Sequence, residues 1–177
     1  MLIIHPTDPT TDFLRVLYEN MEDVRIIHGQ HESRNEILSL LFHGPGEPVL
    51  LLGHGSDAGL FRLENGENRC YVGRSMAYCL RRHPVIGIWC HANLFAERFR
   101  LHGLFSGMVI SEMEEARAYG IRTTEAELAH ENRLFASTLS GFLRAGLPFR
   151  EIPDRMKGAA GDGPAVRQFN YQSLFAL

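Results

Sequence analysis

The sequence predicts an α/β fold: a doubly wound, mainly parallel sheet of order 2-1-3-4-5, helices on both faces, and a small β-hairpin after the third strand. Three observations predict it. Val49-Leu50-Leu51-Leu52 and Val85-Ile86-Gly87-Ile88 are short, unbroken apolar runs bounded by Pro, Gly or polar residues, the pattern of strands buried on both faces. Strand-like and helix-like segments alternate, and strands joined by helical crossovers run parallel. Finally, Asn65-Gly66 sits between two short β-like pieces, a hairpin signal.

Taken in order, Leu2 to Ile4 is the first strand. Asp8-Pro9-Thr10-Thr11 supplies turn and capping chemistry, and Phe13, Leu14, Val16, Leu17 and Met21 recur at helical spacing. Val24 to Ile27 is the second strand. Ser33 and Glu36 form a capping box ahead of Ile37, Leu38, Leu40, Leu41 and Phe42, and Gly44-Pro45-Gly46 stops that helix before the third strand opens at Val49. Gly59-Leu60-Phe61-Arg62-Leu63 and Arg69-Cys70-Tyr71-Val72 make the hairpin. Ser75 to Arg82 reads as a helix with Met76, Cys79 and Leu80 inward, and Pro84 ends it before the fourth strand from Val85.

Asn93 to Leu101 is the next helix and Phe105 to Ile110 the fifth strand. Ser111 with Glu114 is a second capping box, opening a short helix closed by Gly120. Thr124 with Glu127 starts a long helix to about Arg144, with Leu128, Leu134, Phe135, Leu139, Phe142 and Leu143 along one stripe. Leu147-Pro148 to Gly163-Pro164 is rich in Gly and Pro and reads as a surface loop. Val166 to Leu177 reads equally as a last strand or a packed extended tail.

With 177 residues, 45% hydrophobic and 22% charged, the chain has the composition of one globular domain spanning residues 1–177. A net charge of −3 drawn from both signs argues against a nucleic-acid or anionic-membrane surface. No apolar run approaches the roughly 18 residues of a membrane helix, and Met1-Leu2-Ile3-Ile4-His5 lacks the basic and apolar regions of a signal peptide. The three cysteines, Cys70, Cys79 and Cys90, show no CxxC spacing. That pattern fits a reducing compartment, so a cytoplasmic location is expected.

The two apolar runs end on chemistry. His54-Gly55 follows the third strand and Cys90 follows the fourth. Neighbouring parallel strands lie roughly 4.8 Å apart, so both side chains reach the same carboxyl edge of the sheet, where such folds bind ligands. A thiol beside an imidazole there is a nucleophile and its base. Each residue alone has a plainer explanation: a free Cys is usually an inert packing residue, and a His can cap a strand end. Cys70 and Cys79 keep that explanation.

In this order the chain resembles the caspase-like cysteine peptidases, the group that includes clostripain, legumain and separase. The residues that carry the likeness are LLLGHGSDAGLFRLENGENRCYVG, the helix to Arg82, and VIGIWCHA, with Gly107-Met108-Val109-Ile110-Ser111-Glu112 resembling the next family strand. The resemblance implies His54 as acid/base, Cys90 as nucleophile, and the backbone amides of Gly55 and Cys90 at the oxyanion. Gly55 suits close approach to a substrate. It further implies a charged residue at these strand ends selecting the side chain before the cut bond. Glu112 and Asp57 are acidic there and would favour Lys or Arg, with Ser111 and His91 beside them. Glu112 is also explained by a helix first turn, and Arg25 or Arg62 would instead favour an acidic side chain. His5, His28 and His31 sit near the first two strand ends, as cleft lining or as ordinary loop histidines.

The expected activity is therefore a cysteine endopeptidase acting on a peptide or protein, without cofactor, metal, nucleic acid or membrane; the sequence leaves the oligomeric state open. His91 adds a possible ligand to His54 and Cys90, but no compact His/Cys spacing supports zinc. Two other classes compete. One is a catalytically silent domain of the same fold that binds a peptide or ligand or mediates assembly. The other is a flavodoxin-like phosphate binder, which His5-Pro6-Thr7-Asp8-Pro9 serves poorly for want of a Gly-rich cradle.

Overall fold

Among the described residues, nine strands and seven α-helices arrange the chain around two packed faces of one sheet. The computed structural model describes every residue except His31 and Pro45, so the readings that rested on those two lie outside the described residues. β1 (Leu2–Ile4), β2 (Arg25–Ile27), α1 (Arg34–His43) and β3 (Val49–Leu52) come first. β4 (Gly55–Ser56), β5 (Gly59–Glu64) and β6 (Glu67–Gly73) follow, then α2 (Ala77–Leu80), β7 (Pro84–Ile88), α3 (Ala92–Phe99) and β8 (His102–Ser106). α4 (Met113–Ala118), α5 (Glu125–Arg144), α6 (Ile152–Ala160), α7 (Ala165–Gln172) and β9 (Leu174–Ala176) complete the chain.

The main sheet has the order β2-β1-β3-β7-β8-β9. All pairs are parallel except β8 with β9, which is antiparallel. The sheet is thus mixed and mostly parallel, with a sixth strand where five were expected. A separate antiparallel sheet, β4-β5-β6, stands after β3. Its turn is Asn65-Gly66, both at positive φ as a two-residue hairpin turn requires.

The period-2 alternation of strand side chains divides the core. Ile3, Leu50, Leu52, Ile86, Ile88 and Leu104 point to one face, against Leu14, Leu17, Phe135, Leu139 and Met156. Leu2, Ile4, Val49, Leu51, Val85 and Phe105 point to the other, against Ile37, Leu41, Leu80, Trp89 and Phe95. Burying both faces explains why β3 and β7 read as unbroken apolar runs.

Several elements differ from the sequence reading. The segment after β1 is a 3-10 helix, Asp12–Leu17, because Asp8 ties its carboxylate to the Thr10 N–H and hydroxyl and the chain closes through i to i+3 bonds. The fifth strand ends at Ser106, so residues 107–111 are irregular backbone. The expected Ser111/Glu114 box is displaced by one residue: Glu112 caps α4, and Glu115 reaches back to its N–H at 3.1 Å. Ser33/Glu36 does form a full box, whereas Thr124 accepts from Glu127 N and the Glu127 carboxylate turns instead to Thr123. The presumed loop before Pro164 holds α6, whose Pro153 lies in the first turn, where a missing N–H has no helical partner to lose. The C-terminal segment is helix and then strand, α7 and β9, rather than either alternative alone.

Candidate active site

β3 and β7 pair in parallel with Leu52 opposite Ile88, so Gly53-His54 and Trp89-Cys90 leave the sheet at one level. The Gly53 N–H donates to the Ile88 carbonyl at 3.1 Å, which extends that register one residue past the strands. Trp89 is fixed from the other side. Its N–H donates to Ser106 Oγ (2.9 Å), whose hydroxyl donates back to the Trp89 carbonyl (2.7 Å). His91 then turns the chain into α3 with a left-handed φ of 66°, its N–H held by the Gly107 carbonyl at 2.9 Å. A non-glycine residue in that conformation immediately after a candidate nucleophile marks strain of the kind found at functional turns.

His54 and Cys90 line the same two hollows. One is a narrow notch shared with Thr11, Phe13, Leu14 and Ser111. The other is a cavity of about 450 Å³ shared with Asp8, Gly55, His91, Glu112 and Glu115. Phe61, Leu63 and Asn68 of the hairpin form part of its wall.

The imidazole is oriented by two residues from the loop after β1. Thr10 Oγ1 donates to Asp8 Oδ1 at 2.7 Å and lies 2.6 Å from His54 Nε2; Asp8 Oδ1 itself is 3.9 Å from that nitrogen. With the single hydroxyl proton on Asp8, Thr10 accepts from His54 Nε2–H, and Nδ1 is left as the ring's proton acceptor. Sequence reasoning took Asp8 and Thr10 for turn residues. The Asp-x-Thr spacing that makes the turn is also what places them under His54.

The thiol is held differently. Cys90 Sγ donates to the Val109 carbonyl at 3.5 Å and lies 3.8 Å from Glu115 Oε1. Burial, and after it the Glu115 carboxylate, together push the thiol up to about 12. No hydrogen bond joins His54 to Cys90 among the described residues. Glu115 is a residue the sequence reading missed, because Ser111 and Glu114 have the same capping-box spacing as Glu112 and Glu115. Its other oxygen, Oε2, collects the Ser111 N–H (2.7 Å), the Ser111 hydroxyl (3.1 Å) and the Glu112 N–H.

His54 and Phe61 are hydrogen-bonded across β4 and β5, so the alternation of an antiparallel ladder makes Gly55 opposite Leu60 a non-bonded pair, its N–H turned away from β5. The Cys90 N–H makes no hydrogen bond among the described residues. Gly55 is also required by packing. A Cβ there would overlap Trp89 Cδ1 and lie 2.5 Å from the Gly59 carbonyl oxygen. The space belongs to the indole, whose Nε1 donates to Ser56 O at 3.0 Å.

Of the remaining expected residues, Ser111, His91 and Glu112 join the site, while Asp57 does not. Asp57 is ion-paired with Arg98 of α3 at 2.7 Å and lines neither hollow. Arg62 pairs with Glu64 and lines a different cavity with His28, and Arg25 is exposed on the sheet edge. His5 is buried, with Nδ1 2.9 Å from the Tyr18 hydroxyl, and burial lowers its pKa to about 4. It is a core residue and not cleft lining. A buried polar brace supports the far wall: Asn170 Nδ2 donates to Ile110 O and Asn132 Oδ1, and Asn132 Nδ2 donates to Ser111 O.

Among the described residues, no three His, Cys, Asp or Glu side chains converge tightly enough to hold a metal ion, and no helix is long and apolar enough to cross a membrane. Compared with known proteins, no family model matches the chain and no curated protein matches it.

Proposed function

We propose that the chain is a cysteine peptidase of caspase-like fold that cleaves peptide bonds by acyl transfer through Cys90. The observation that carries this reading is the β3–β7 register, which brings His54 and Cys90 to one cavity at the carboxyl edge. The order β2-β1-β3-β7-β8 of the parallel strands, and the hairpin between His54 and Cys90, support it.

In the reaction, His54 Nδ1 takes the thiol proton as Cys90 swings from Val109 toward the bound peptide. The thiolate attacks the scissile carbonyl, and the free Gly55 and Cys90 N–H groups receive the oxyanion. His54 returns the proton to the leaving amine, which breaks the C–N bond and leaves a thioester. A water that loses its proton to His54 then attacks the thioester, the C–S bond breaks to free the acid, and His54 returns that proton to the departing Cys90 sulfur. Thr10 and Asp8 hold the tautomer throughout.

One observation favours a second reading, a silent domain of the same architecture. The resting thiol is half-buried, protonated and bonded to Val109 rather than to His54. A peptide carrying a thiol-directed electrophile, followed by site mapping, separates the two. A peptidase is labelled at Cys90, and His54→Ala removes most of that labelling. Modification confined to exposed Cys70, or labelling of Cys90 indifferent to His54, favours the silent domain.

A further inference from the structure

A further hollow is larger than either of the two that hold the cysteine. It is a groove of about 880 Å³ between the Asp12–Leu17 helix and the corner where α4 meets α5. That volume lies within the range of small-molecule and peptide sites. Its floor is apolar: Phe13, Val16, Met113 and Leu128. Its rim carries five carboxylates, Asp12, Glu19, Glu112, Glu114 and Glu125, against two guanidinium groups, Arg15 and Arg133. That excess of three negative charges equals the net charge of the whole chain, −3.

None of the five carboxylates forms an ion pair among the described residues, although Asp57, Glu47, Glu64, Glu67, Glu131, Glu151 and Asp154 elsewhere do. Helix N-termini account for four of them: Glu112 caps α4, and Asp12, Glu114 and Glu125 stand in first turns. They do not account for Glu19, nor for Arg15 and Arg133 sharing the rim without closing on a carboxylate. The groove also leads to the site. Thr10, the partner of His54, lines it; Phe13 and Ser111 line both the groove and the notch, and Glu112 lines both the groove and the cavity around Cys90.

We propose that this groove docks a basic, partly apolar segment of the polypeptide whose adjoining bond Cys90 attacks, a proposal that rests on the peptidase reading. Apolar side chains of the segment fill the floor over Phe13 and Leu128, and Lys or Arg residues meet the unpaired rim. An acidic segment is repelled by the same rim.

Fluorescence anisotropy with the Cys90→Ala chain measures docking apart from cleavage, using labelled basic, neutral and acidic peptides of one length and equal apolar content. The basic peptide is expected to bind roughly tenfold tighter than the acidic one, and salt should narrow the gap. Glu19→Lys with Glu125→Lys should weaken it by a similar factor, and Arg133→Glu should strengthen it. Both variants lie outside the machinery at Cys90 and should leave its labelling by a small electrophile unchanged. Equal binding of the three peptides, or indifference to both variants, overturns the proposal. If the wild-type chain cleaves peptides with no preference for nearby basic residues, the groove fails and the peptidase reading stands. If the basic peptide docks and Cys90 is never labelled, docking is supported and the peptidase reading ends.

Discussion

Glu115 Oε1 lies 3.8 Å from Cys90 Sγ, while its other oxygen gathers two backbone N–H groups and a hydroxyl from Ser111 and Glu112. The carboxylate therefore braces the segment before α4 and at the same time bears on the thiol. A nearby negative charge disfavours thiolate, in the same direction as burial.

Glu115→Gln should lower the Cys90 pKa from about 12 without bringing it to that of a free thiol, because burial is the larger cause and remains. The check is the pH profile of alkylation at Cys90, followed by mass spectrometry. The variant profile should move toward lower pH while those of Cys70 and Cys79 stay in place. An unmoved profile would mean that Glu115 serves only the α4 cap.

Thr10 supplies the second prediction. Its hydroxyl bridges Asp8 and His54 Nε2, so Thr10→Val keeps the shape and removes the bridge. Peptidase turnover should fall at least about tenfold, a fraction of what general acid–base catalysis contributes. Thr10→Ser should restore most of it. Thermal unfolding of all three should differ little, since the residue is only partly buried. Loss of turnover in Thr10→Ser equal to that in Thr10→Val would remove the tautomer argument.

Much of this arrangement was legible in the sequence, and what was not has physical reasons. Val49–Leu52 and Val85–Ile88 were readable as strands because burial on both faces leaves an unbroken apolar signature. Asn65-Gly66 was readable because few dipeptides tolerate two positive φ values. α6 was hidden by Pro153, Gly158 and the Gly-rich stretch after it, since composition cannot distinguish a proline in a first turn from one in a loop. Thr10 and Glu115 were hidden because each acts through a partner distant in sequence, His54 or Cys90. The Trp89 indole that packs on Gly55 was hidden for the same reason.

Gly55→Ala tests that last point. A Cβ would overlap Trp89 Cδ1 and lie 2.5 Å from the Gly59 carbonyl oxygen, and both neighbours are held by hydrogen-bonded structure. Overpacking of this kind costs about 1–3 kcal/mol, which should appear as a lowered midpoint in denaturant with an unchanged slope. Trp89 is the chain's single tryptophan, so its fluorescence should report the displacement directly. Wild-type stability with unaltered emission would show that the indole has room to give.

The final prediction concerns acid. His5 is 3% exposed, and burial lowers its pKa from 6.5 to about 4, against a smaller opposing pull from Asp12. His28 and Arg15 push the same way as burial, and the Tyr18 hydroxyl holds the ring. Between pH 6.5 and 4 the unfolded chain therefore binds a proton that the folded chain does not. The stability associated with neutral His5 is complete above pH 6.5, declines as pH falls through that window, and is lost below about 4. Integrated over the window, the shift corresponds to ~3 kcal/mol. Glu131 acts in a separate, lower window. Its hydrogen bonds to Arg167 (2.6 and 2.8 Å) hold its carboxyl below the usual range, so its contribution persists above the ordinary carboxylate pKa and fades only as pH falls through the depressed value. Urea unfolding at closely spaced pH values should show a decline beginning near pH 6.5. In His5→Phe the starting stability should be lower, because the Tyr18 hydroxyl loses its partner, but the slope between pH 6.5 and 4 should flatten. A slope identical in His5→Phe and wild type would assign the decline to other groups and show that His5 charges as readily folded as unfolded.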